Sequence, residues 1–251
     1  MSRTIVLQSY RAVSSGWQAE CTRSVREWAR QREYDYLTAS DSELFGSAPT
    51  KLGAKLRAVS LATAVDAARL YWMREILAKS SVGRVVWVDD DVLMLGEGPA
   101  VPEGVEVIFA REQWISRDYR GRLARTGAVS NCLMAVENTS SFLDFYIWAI
   151  DLIASRKAIR KTSLGPDFLT HLAKQVPFTV IASVPTLSPI VLSEVAQGSF
   201  ELLASISHGG LNHLRGAHLC GSLVGRTIYG IPVTSRLIED AVVSLRDIAG
   251  N

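Results

Sequence analysis

Residues 84–95 read RVVWVDDDVLML, so three consecutive aspartates stand between two apolar segments. The apolar segments predict a buried strand that ends at the acidic run. Because strand side chains alternate between two faces, Asp89 and Asp91 can point the same way while Asp90 points elsewhere. The alternative is a solvated turn after a core strand, but a turn usually carries Gly, Pro or Asn. Two carboxylates at the mouth of a sheet suit a hard cation such as Mg²⁺ or Mn²⁺, which takes oxygen ligands and keeps open positions for a phosphate group.

The composition is that of a globular protein close to charge balance. The chain has 251 residues, of which 48% are hydrophobic, and this suffices for a sizeable core. With 27 basic and 25 acidic residues, the net charge of +2 argues against a general nucleic-acid-binding protein, which needs a strong basic field. Cys21, Cys132 and Cys220 are far apart and odd in number, so they indicate neither a disulfide framework nor a CxxC zinc site. A reducing compartment, the cytoplasm, is therefore expected.

The sequence predicts no transmembrane helix. Residues 1–10 lack a charged region followed by a long apolar stretch. The most apolar helix candidate, residues 141–154, is interrupted by Asp144 and Asp151. Peripheral association with a membrane is left open.

Strand-like and helix-like segments alternate along the chain, which predicts an α/β fold. Residues 4–8 (TIVLQ), a helical pattern over residues 17–29 and a strand at residues 34–37 form a β-α-β unit, which implies a parallel sheet. Residues 52–79 are expected to form one long helix or two helices broken near Ser60. Residues 41–50 and 117–125 are expected to be loops. Further strands are predicted at residues 105–110, 128–136, 178–182 and 228–233, and further helices at residues 141–157, 165–174 and 235–248.

This organisation resembles that of the GT-A fold nucleotide-sugar glycosyltransferases, whose DxD motif stands at the end of an apolar strand. It is most similar to the family-eight retaining enzymes, in which a helix with an arginine precedes the acidic strand, as residues 68–70 (ARL) do here. Related bacterial polysaccharide transferases carry Asp-x-x-Arg in that helix, and Asp66 and Arg69 fit this spacing. The resemblance implies a single GT-A (Rossmann-like) domain, residues 1–251, with a mainly parallel central sheet flanked by helices. Residues 1–95 would form the nucleotide-binding half and residues 96–251 the acceptor-side half, which includes the C-terminal metal-ligand segment.

The resemblance extends to a C-terminal His-x-x-Gly, which supplies a third metal ligand in that family. His218 and Gly221 fit the spacing, and imidazole suits Mn²⁺, which accepts mixed oxygen and nitrogen ligands. His208 and His213 are rival candidates. The family's Lys-Pro-Trp after the glycine is absent, and Arg226 is the basic residue nearby for the diphosphate.

Two further positions resemble the sugar side of the family's site. Residues 165–170 (GPDFLT) stand where the family has an Asp-Gln-Asp run, and only Asp167 matches it. Asp167 could equally favour the positive end of a helix. Asn131 resembles a sugar-contacting Asn on a strand, against the alternative of a satisfied buried amide. The resemblance makes Asp167 and Asn131 the candidate catalytic residues.

The nucleotide is expected at the carboxyl ends of the strands, where open α/β sheets bind ligands. Ser9 and Tyr10 end the first strand and would contact uracil and ribose. Arg69 is placed to pair with a phosphate or with Asp90 and so to order the acidic loop, although a helix arginine is more often a solvated surface residue.

The resemblance implies a metal-dependent enzyme that moves a hexose from a nucleoside-diphosphate sugar, with UDP favoured, to an acceptor hydroxyl with retention. Mn²⁺ or Mg²⁺ held by Asp89, Asp91 and His218 would neutralise the diphosphate as it departs. The acceptor is left open between a glycan, a lipid-linked molecule and a small molecule.

Two other functions are compatible with the sequence. A haloacid-dehalogenase-like phosphatase would use Asp89 as nucleophile and Asp91 as acid or base. Those enzymes, however, place the motif on the first strand with a Thr or Ser soon after it, where Val92 stands here. A nucleotide-sugar-binding protein without turnover would account for the missing lysine and the altered second acidic motif.

Overall fold

A computed structural model describes residues 3–10, 15–156 and 159–250 of the chain. The strands are β1 Arg3–Tyr10, β2 Asp35–Ser40, β3 Val82–Val88, β4 Val92–Met94, β5 Val107–Arg117, β6 Leu123–Glu137, β7 Thr179–Ile181, β8 Gly216–His218, β9 Thr227–Ile228 and β10 Ile231–Pro232. The α-helices are α1 Gly16–Gln31, α2 Asp41–Gly46, α3 Thr50–Val59, α4 Leu61–Leu77, α5 Phe142–Ser155, α6 Pro166–Leu172, α7 Pro189–Ala196, α8 Glu201–Ile206 and α9 Ser235–Ala249. Short 3-10 helices lie at Leu211–His213 and Gly221–Leu223.

Within the described residues, six strands form the central sheet in the order β2-β1-β3-β6-β5-β7. β1 pairs in parallel with β2 and β3, and β5 pairs in parallel with β7. β6 is antiparallel to both of its neighbours, β3 and β5. All strands of the sheet except β6 therefore run in the same direction, and the prediction of an α/β fold with a mainly parallel sheet flanked by helices is confirmed.

The central strand β3 is buried along its whole length because helices cover both faces of the sheet. Val85 and Trp87 pack in the cluster that includes residues of α2 to α5, whereas Val86 and Val88 pack with Trp28 of α1. A strand covered on both faces is typically apolar at every position rather than at alternate ones. This explains the apolar run that precedes the acidic residues.

The predicted break of the long helix at Ser60 is confirmed. Ser60 has an extended backbone and ends α3, and its Oγ accepts a hydrogen bond from the Thr63 N–H at 3.0 Å, which caps α4. A serine at this position satisfies one of the N–H groups that the first turn of a helix leaves unpaired.

Two predicted loops are wrong. Residues 41–46 form α2, because Ser40 and Glu43 build a capping box in which each side chain bonds the other's backbone N–H. The charged stretch 117–125 belongs to a β-hairpin, in which β5 and β6 continue to the pair formed by Arg117 and Leu123. The hairpin is stabilised on one side by Ile115, which is buried in a cluster with α7 and α9.

The predicted strand at residues 228–233 is two short strands, β9 and β10, which pair across a turn. Tyr229 and Gly230 occupy this turn with positive φ angles of 54° and 77°. A tight hairpin turn requires positive φ at its central residues, which is why the segment reverses direction instead of extending.

The C-terminal segment returns to the acidic end of β3. β8 pairs antiparallel with β4, the short strand that follows the acidic run, and this pairing sets His218 opposite Val92. A cluster that includes Trp17, Val191 and Leu245 packs this segment against α1. The division into a nucleotide-binding half and an acceptor-side half stays a prediction. No helix among the described residues has the length and apolar composition that crossing a bilayer requires.

Candidate active site

The acidic run begins at the carboxyl end of β3, and its first residue is held by backbone contacts. The Asp89 N–H donates to the carbonyl of Cys132 on β6 at 2.8 Å, and the Asp89 carbonyl accepts from Nε2 of Gln8 at 3.0 Å. Gln8 is fully buried and accepts in turn from the Tyr36 hydroxyl at 2.7 Å. The sequence analysis missed Gln8, although an amide at the end of an otherwise apolar strand was a readable signal.

Arg69 connects α4 to the acidic run. Its Nη1 donates to Oδ1 of Asp89 at 2.8 Å and to the carbonyl of Asn131 at 2.8 Å, and its Nη2 pairs with Asp66. The Trp87 indole N–H also donates to Oδ1 of Asp89, at 2.6 Å. The Arg69 side chain is only 4% exposed, so it is a buried ion-pair residue and not a solvated surface one. The suggested pairing with Asp90 is wrong, because the guanidinium reaches Asp89.

The surroundings of Asp89 disfavour its charge despite this arginine. Burial raises the pKa of Asp89 to about 6, against the opposing effect of Arg69, and the nearby charge of Asp91 adds to the increase. The pKa of Asp66 is raised as well, again chiefly by burial. Ionised carboxylates in such surroundings are stabilised by a further positive charge, which a divalent cation would supply.

The C-terminal segment contacts Asp91 through two groups. The Gly221 N–H donates to Oδ2 of Asp91 at 2.7 Å, and Nε2 of His218 lies 3.2 Å from Oδ1. Cys220 between them adopts a left-handed backbone with φ of 53°, which turns the Gly221 N–H toward the carboxylate. A non-glycine residue in that conformation is uncommon and is often found at functional sites.

Gly221 fits its position because it lacks a side chain. A Cβ at residue 221 would overlap the ring of Trp17, which is buried at the start of α1, and would lie 3.2 Å from Cβ of Asp91. These two contacts explain why glycine stands at this position.

The neighbours of His218 favour its imidazolium form. Burial opposes the charged ring, but the charge of Asp91 and its hydrogen bond outweigh that effect, so the pKa of His218 lies well above its usual value. Nδ1 of the ring lies 3.4 Å from the Thr186 hydroxyl. A metal that bound Nε2 would therefore have to displace a proton.

Asp89, Asp91 and His218 form a compact set of metal-binding groups. Each offers one ligand atom, and these atoms all lie within 4.8 Å of one another. Two carboxylate oxygens and one imidazole nitrogen fit Mn²⁺, and the carboxylates also suit Mg²⁺. The three residues thus fit the cation that the sequence predicted at this end of the sheet.

Asn131 belongs to β6 and Asp167 to α6. Asn131 is buried, and its Nδ2 donates to Oδ1 of Asp66 at 3.0 Å. Gly165 packs against this pair, since a Cβ there would lie 3.0 Å from Nδ2 of Asn131. Asp167 is exposed and accepts from the Thr162 hydroxyl at 2.7 Å. The amide of Asn131 is therefore satisfied inside the protein, and its contact with a sugar stays a prediction.

The remaining predicted residues differ in how far they are buried. Ser9 is buried and Tyr10 is 42% exposed at the end of β1. Asp90 accepts a hydrogen bond from Nε2 of Gln18 on α1 at 3.2 Å. The side chain of Arg226 is exposed, and its backbone closes the base of the β9–β10 hairpin through a 2.8 Å bond to Val233.

Glu112 on β5 is a further carboxyl group that the sequence analysis missed. Burial raises its pKa, while the charge of His218 lowers it and the charge of Asp167 raises it further, so Glu112 lies within electrostatic reach of both residues. The strand predicted at residues 105–110 ends before Glu112, whereas β5 continues to Arg117.

A separate cavity lies far from this chemistry. It has a volume of about 460 Å³ and is lined by apolar groups that include Phe142, Phe145 and Phe178. Val107 and Thr179, the first residues of β5 and β7, also line it. The cavity therefore lies at the amino ends of β5 and β7. Asp89 follows the carboxyl end of β3, which runs in the same direction, so the cavity and the acidic run lie at opposite ends of the strands.

Comparison with solved structures finds matches at low identity. The galactosyltransferase LgtC, solved with donor and acceptor sugar analogues, aligns with 95% of this chain and 95% of its own, at 10% identity and a TM-score of 0.49. A glycosyltransferase involved in glycosylation of the major capsid of PBCV-1 aligns with 96% of this chain and 98% of its own, at 10% identity and a TM-score of 0.48. Mouse xyloside xylosyltransferase 1 aligns with 88% of this chain and 99% of its own, at 13% identity and a TM-score of 0.44.

These solved structures are glycosyltransferases, the class that the acidic motif resembles. No protein-family model matches the chain, and no curated protein matches it in sequence. At these identities and TM-scores the case for a function has to come from the side chains of the site.

Proposed function

We propose that the protein is a metal-dependent GT-A-type glycosyltransferase, which moves a hexose from a nucleoside-diphosphate sugar to an acceptor hydroxyl. The observation that carries this proposal is the set formed by Asp89, Asp91 and His218, whose ligand atoms lie within 4.8 Å of one another at the carboxyl end of β3. Open α/β sheets bind nucleotides at this edge, and a cation there would face the diphosphate. UDP as the nucleotide and retention at the anomeric carbon follow the resemblance of the sequence motifs.

The side chains have distinct roles in this proposal. A bound Mn²⁺ or Mg²⁺ would stabilise the negative charge that develops on the departing nucleoside diphosphate. Arg69 keeps Asp89 oriented and favours its ionised form, and the Gly221 N–H does the same for Asp91. His218 offers Nε2 once its proton has left. The chain thus prepares three ligand atoms before a donor binds.

The sugar and the base would lie on either side of these ligands. Asn131 and Asp66 form a buried polar pair, which Arg69 connects to the acidic run, and the carboxyl groups of Asp167 and Glu112 lie within electrostatic reach of one another. Hydroxyl groups of a hexose require such acceptors and donors. Tyr10, exposed at the end of β1, offers a ring to the base, and buried Ser9 precedes it.

The phosphatase alternative is less well supported. Its nucleophile, Asp89, already accepts hydrogen bonds from Arg69 and Trp87 at the same oxygen, Oδ1. A phosphatase would therefore have to use Oδ2 of Asp89, the oxygen that is also free to bind a metal. The acidic run also follows the third strand of the chain and not the first.

The compartment and the acceptor are also proposals. Cys21, Cys132 and Cys220 are all buried free thiols, which fits a reducing compartment, and we place the protein in the cytoplasm. The acceptor is a hydroxyl of a glycan, of a lipid-linked molecule or of a small molecule.

A panel of nucleotide sugars tests the proposed function. Thermal unfolding should be measured with UDP-, GDP-, ADP- and CDP-sugars, each with Mn²⁺ and with EDTA. A donor should raise the midpoint only when Mn²⁺ is present, because a ligand that binds the folded state stabilises it. Release of nucleoside diphosphate from that donor would then show turnover. Stabilisation without release would indicate a binding protein, and release of inorganic phosphate from phosphomonoesters without donor binding would indicate a phosphatase.

A further inference from the structure

The proposed site needs positive charge beyond the cation. A divalent ion held by Asp89 and Asp91 has its charge balanced by those two carboxylates, whereas a diphosphate brings further negative charge. Arg69 is committed elsewhere, because its two terminal nitrogens bind Asp89, Asp66 and the carbonyl of Asn131. This inference rests on the proposed function and concerns the group that balances the diphosphate.

Lys161 is placed at the segment that carries the metal-binding histidine. It belongs to the connection between α5 and α6, and its Nζ lies 3.5 Å from Oγ of Ser222. Ser222 directly follows Gly221, whose N–H binds Asp91. The ammonium of Lys161 therefore lies beside the His218–Gly221 segment, although it is distant from it in sequence.

The backbone of Lys161 is anchored to α4. Its carbonyl accepts a hydrogen bond from the Thr63 hydroxyl at 3.1 Å, and Thr63 is fully buried beside the Ser60 cap. This contact fixes the lysine at the N-terminal end of the helix that also carries Asp66 and Arg69. The charge of Lys161 acts on Asp66. Burial raises the pKa of the Asp66 carboxyl, and Lys161 is one of the neighbours that lower it.

Lys161 thus contacts α4, which carries Arg69, through its backbone and the Gly221–Leu223 helix through its side chain. Its hydrogen bond to Ser222 is long, at 3.5 Å, so the ammonium keeps donors for another acceptor. The side chain is half-buried, which reduces screening by water while leaving it accessible.

We propose that Lys161 binds the diphosphate of the donor, from the α5–α6 connection, in place of a lysine in the C-terminal segment. An ammonium is a compact charge with three donors and suits phosphate oxygens without requiring a fixed orientation. Arg226, the candidate that the sequence offered, has an exposed side chain on the β9–β10 hairpin. Lys161 would therefore supply the positive charge for the diphosphate, although it lies outside the C-terminal His-x-x-Gly segment.

Binding of inorganic pyrophosphate tests this assignment independently of the base and the sugar. Titration calorimetry with saturating Mn²⁺ should compare the wild type with Lys161→Met, Lys161→Arg and Arg226→Met. Arg160→Met is the matched control, since Arg160 is an exposed cation next to Lys161 in the same connection. Each variant should also be titrated with Mn²⁺ alone and with UDP.

We expect Lys161→Met to weaken pyrophosphate binding by about 10- to 100-fold, which corresponds to the loss of one charged hydrogen bond. Lys161→Arg should restore most of the affinity, because it keeps the charge, and Arg160→Met should bind like the wild type. The affinity for Mn²⁺ alone should be the same in all four variants. If Lys161 served only the fold, Lys161→Met would weaken Mn²⁺ binding as well, and Lys161→Arg would not restore pyrophosphate binding selectively.

Two results would overturn the assignment of Lys161. The first is compatible with the proposed function and the second is not. If Lys161→Met binds pyrophosphate as the wild type does, while Arg226→Met loses it, the diphosphate is bound by the C-terminal segment and the proposed function survives. If the wild type binds neither pyrophosphate nor UDP with Mn²⁺, the proposed function fails, and this inference fails with it.

Discussion

The Gly221 N–H donates a hydrogen bond to Oδ2 of Asp91 at 2.7 Å, across 130 positions of the sequence. Nε2 of His218 contacts the other oxygen of the same carboxylate at 3.2 Å. The C-terminal segment therefore orients the acidic run in addition to supplying a ligand. Changes in the segment and changes in the acidic run should consequently have related effects.

Gly221→Ala should damage the site and the fold together. Its Cβ would overlap the Trp17 ring, so either the ring or the segment has to move. Overpacking of this kind typically costs about 1–3 kcal/mol in free energy of unfolding. Urea unfolding measures that loss, and Mn²⁺ titration should show weaker binding because the N–H of residue 221 shifts away from Asp91.

A second substitution shows whether the overlap is the cause. Trp17→Phe removes the outer part of the indole, so Gly221→Ala should cost less in that background than in the wild type. Residues in contact show such non-additivity in a double-mutant cycle. Equal costs in both backgrounds would mean that the close contact with Asp91, 3.2 Å from that Cβ, and not the contact with Trp17, accounts for the loss.

Asp89→Asn, Asp91→Asn and His218→Ala should each lower Mn²⁺ affinity by more than about 100-fold. Groups that merely orient metal ligands already contribute about 10- to 100-fold, and these three are proposed to be ligands themselves. Asp90→Asn, His208→Ala and His213→Ala are the controls, and they should change metal affinity by less than about threefold. Circular dichroism should show that all variants are folded. Loss of affinity in a control, with the three proposed ligands unaffected, would reassign the site.

Arg69→Met should strongly destabilise the protein. The substitution leaves Asp66 and Asp89 buried without their shared cation, and breaking a buried ion pair from one side costs about 3–5 kcal/mol. Arg74→Met, on the same helix, removes an exposed arginine that lies 3.9 Å from Asp144 and should cost less than about 1 kcal/mol. Urea unfolding curves compare the two. Similar costs would show that Arg69 contributes as little as a surface arginine.

The stability of the metal-free protein should fall as the pH rises above about 6.5. The pKa of His218 is higher in the folded protein than in the unfolded chain, so its contribution is fully present below about 6.5, the ordinary histidine value. That contribution is lost as the pH rises through the folded pKa. His218→Ala should flatten this part of the curve, measured by urea unfolding between pH 6 and 9. An unchanged slope in the variant would contradict the pairing with Asp91.

Mn²⁺ binding should release a proton at pH 7. The metal requires a neutral imidazole, whereas Asp91 raises the pKa of His218 and so favours its protonated form. Calorimetry in two buffers of different ionisation enthalpy measures the release directly, since the observed heat then depends on the buffer. His218→Ala should remove the dependence. A heat of binding that is the same in both buffers for the wild type would show that no proton leaves.

The sequence predicted the parts of the site that are local patterns. Three such patterns are the acidic run after an apolar strand, the Asp66–Arg69 spacing on a helix and the His-x-x-Gly spacing. Each pattern consists of residues that are close to one another in sequence. The break at Ser60 was visible for the same reason. The helix α2 was missed although Ser40 and Glu43 form a recognisable capping box, because Gly46 and Pro49 suggested a loop.

The residues that the sequence did not reveal depend on contacts between distant segments. Gln8 bonds the carbonyl of Asp89, Gln18 bonds Asp90, and Lys161 reaches Ser222. Each is a single polar residue in an ordinary strand, helix or connection, and only the tertiary structure brings it to the site. Glu112 was missed because the charged stretch that follows it suggested a loop, whereas β5 continues through it.

The most direct test of the metal site is anomalous diffraction from a crystal grown with Mn²⁺ and UDP. The account predicts a Mn²⁺ peak bound by Asp89, Asp91 and His218, with the diphosphate of UDP on its open side. A peak at other residues, or bound UDP with no Mn²⁺ at these three side chains, would contradict it.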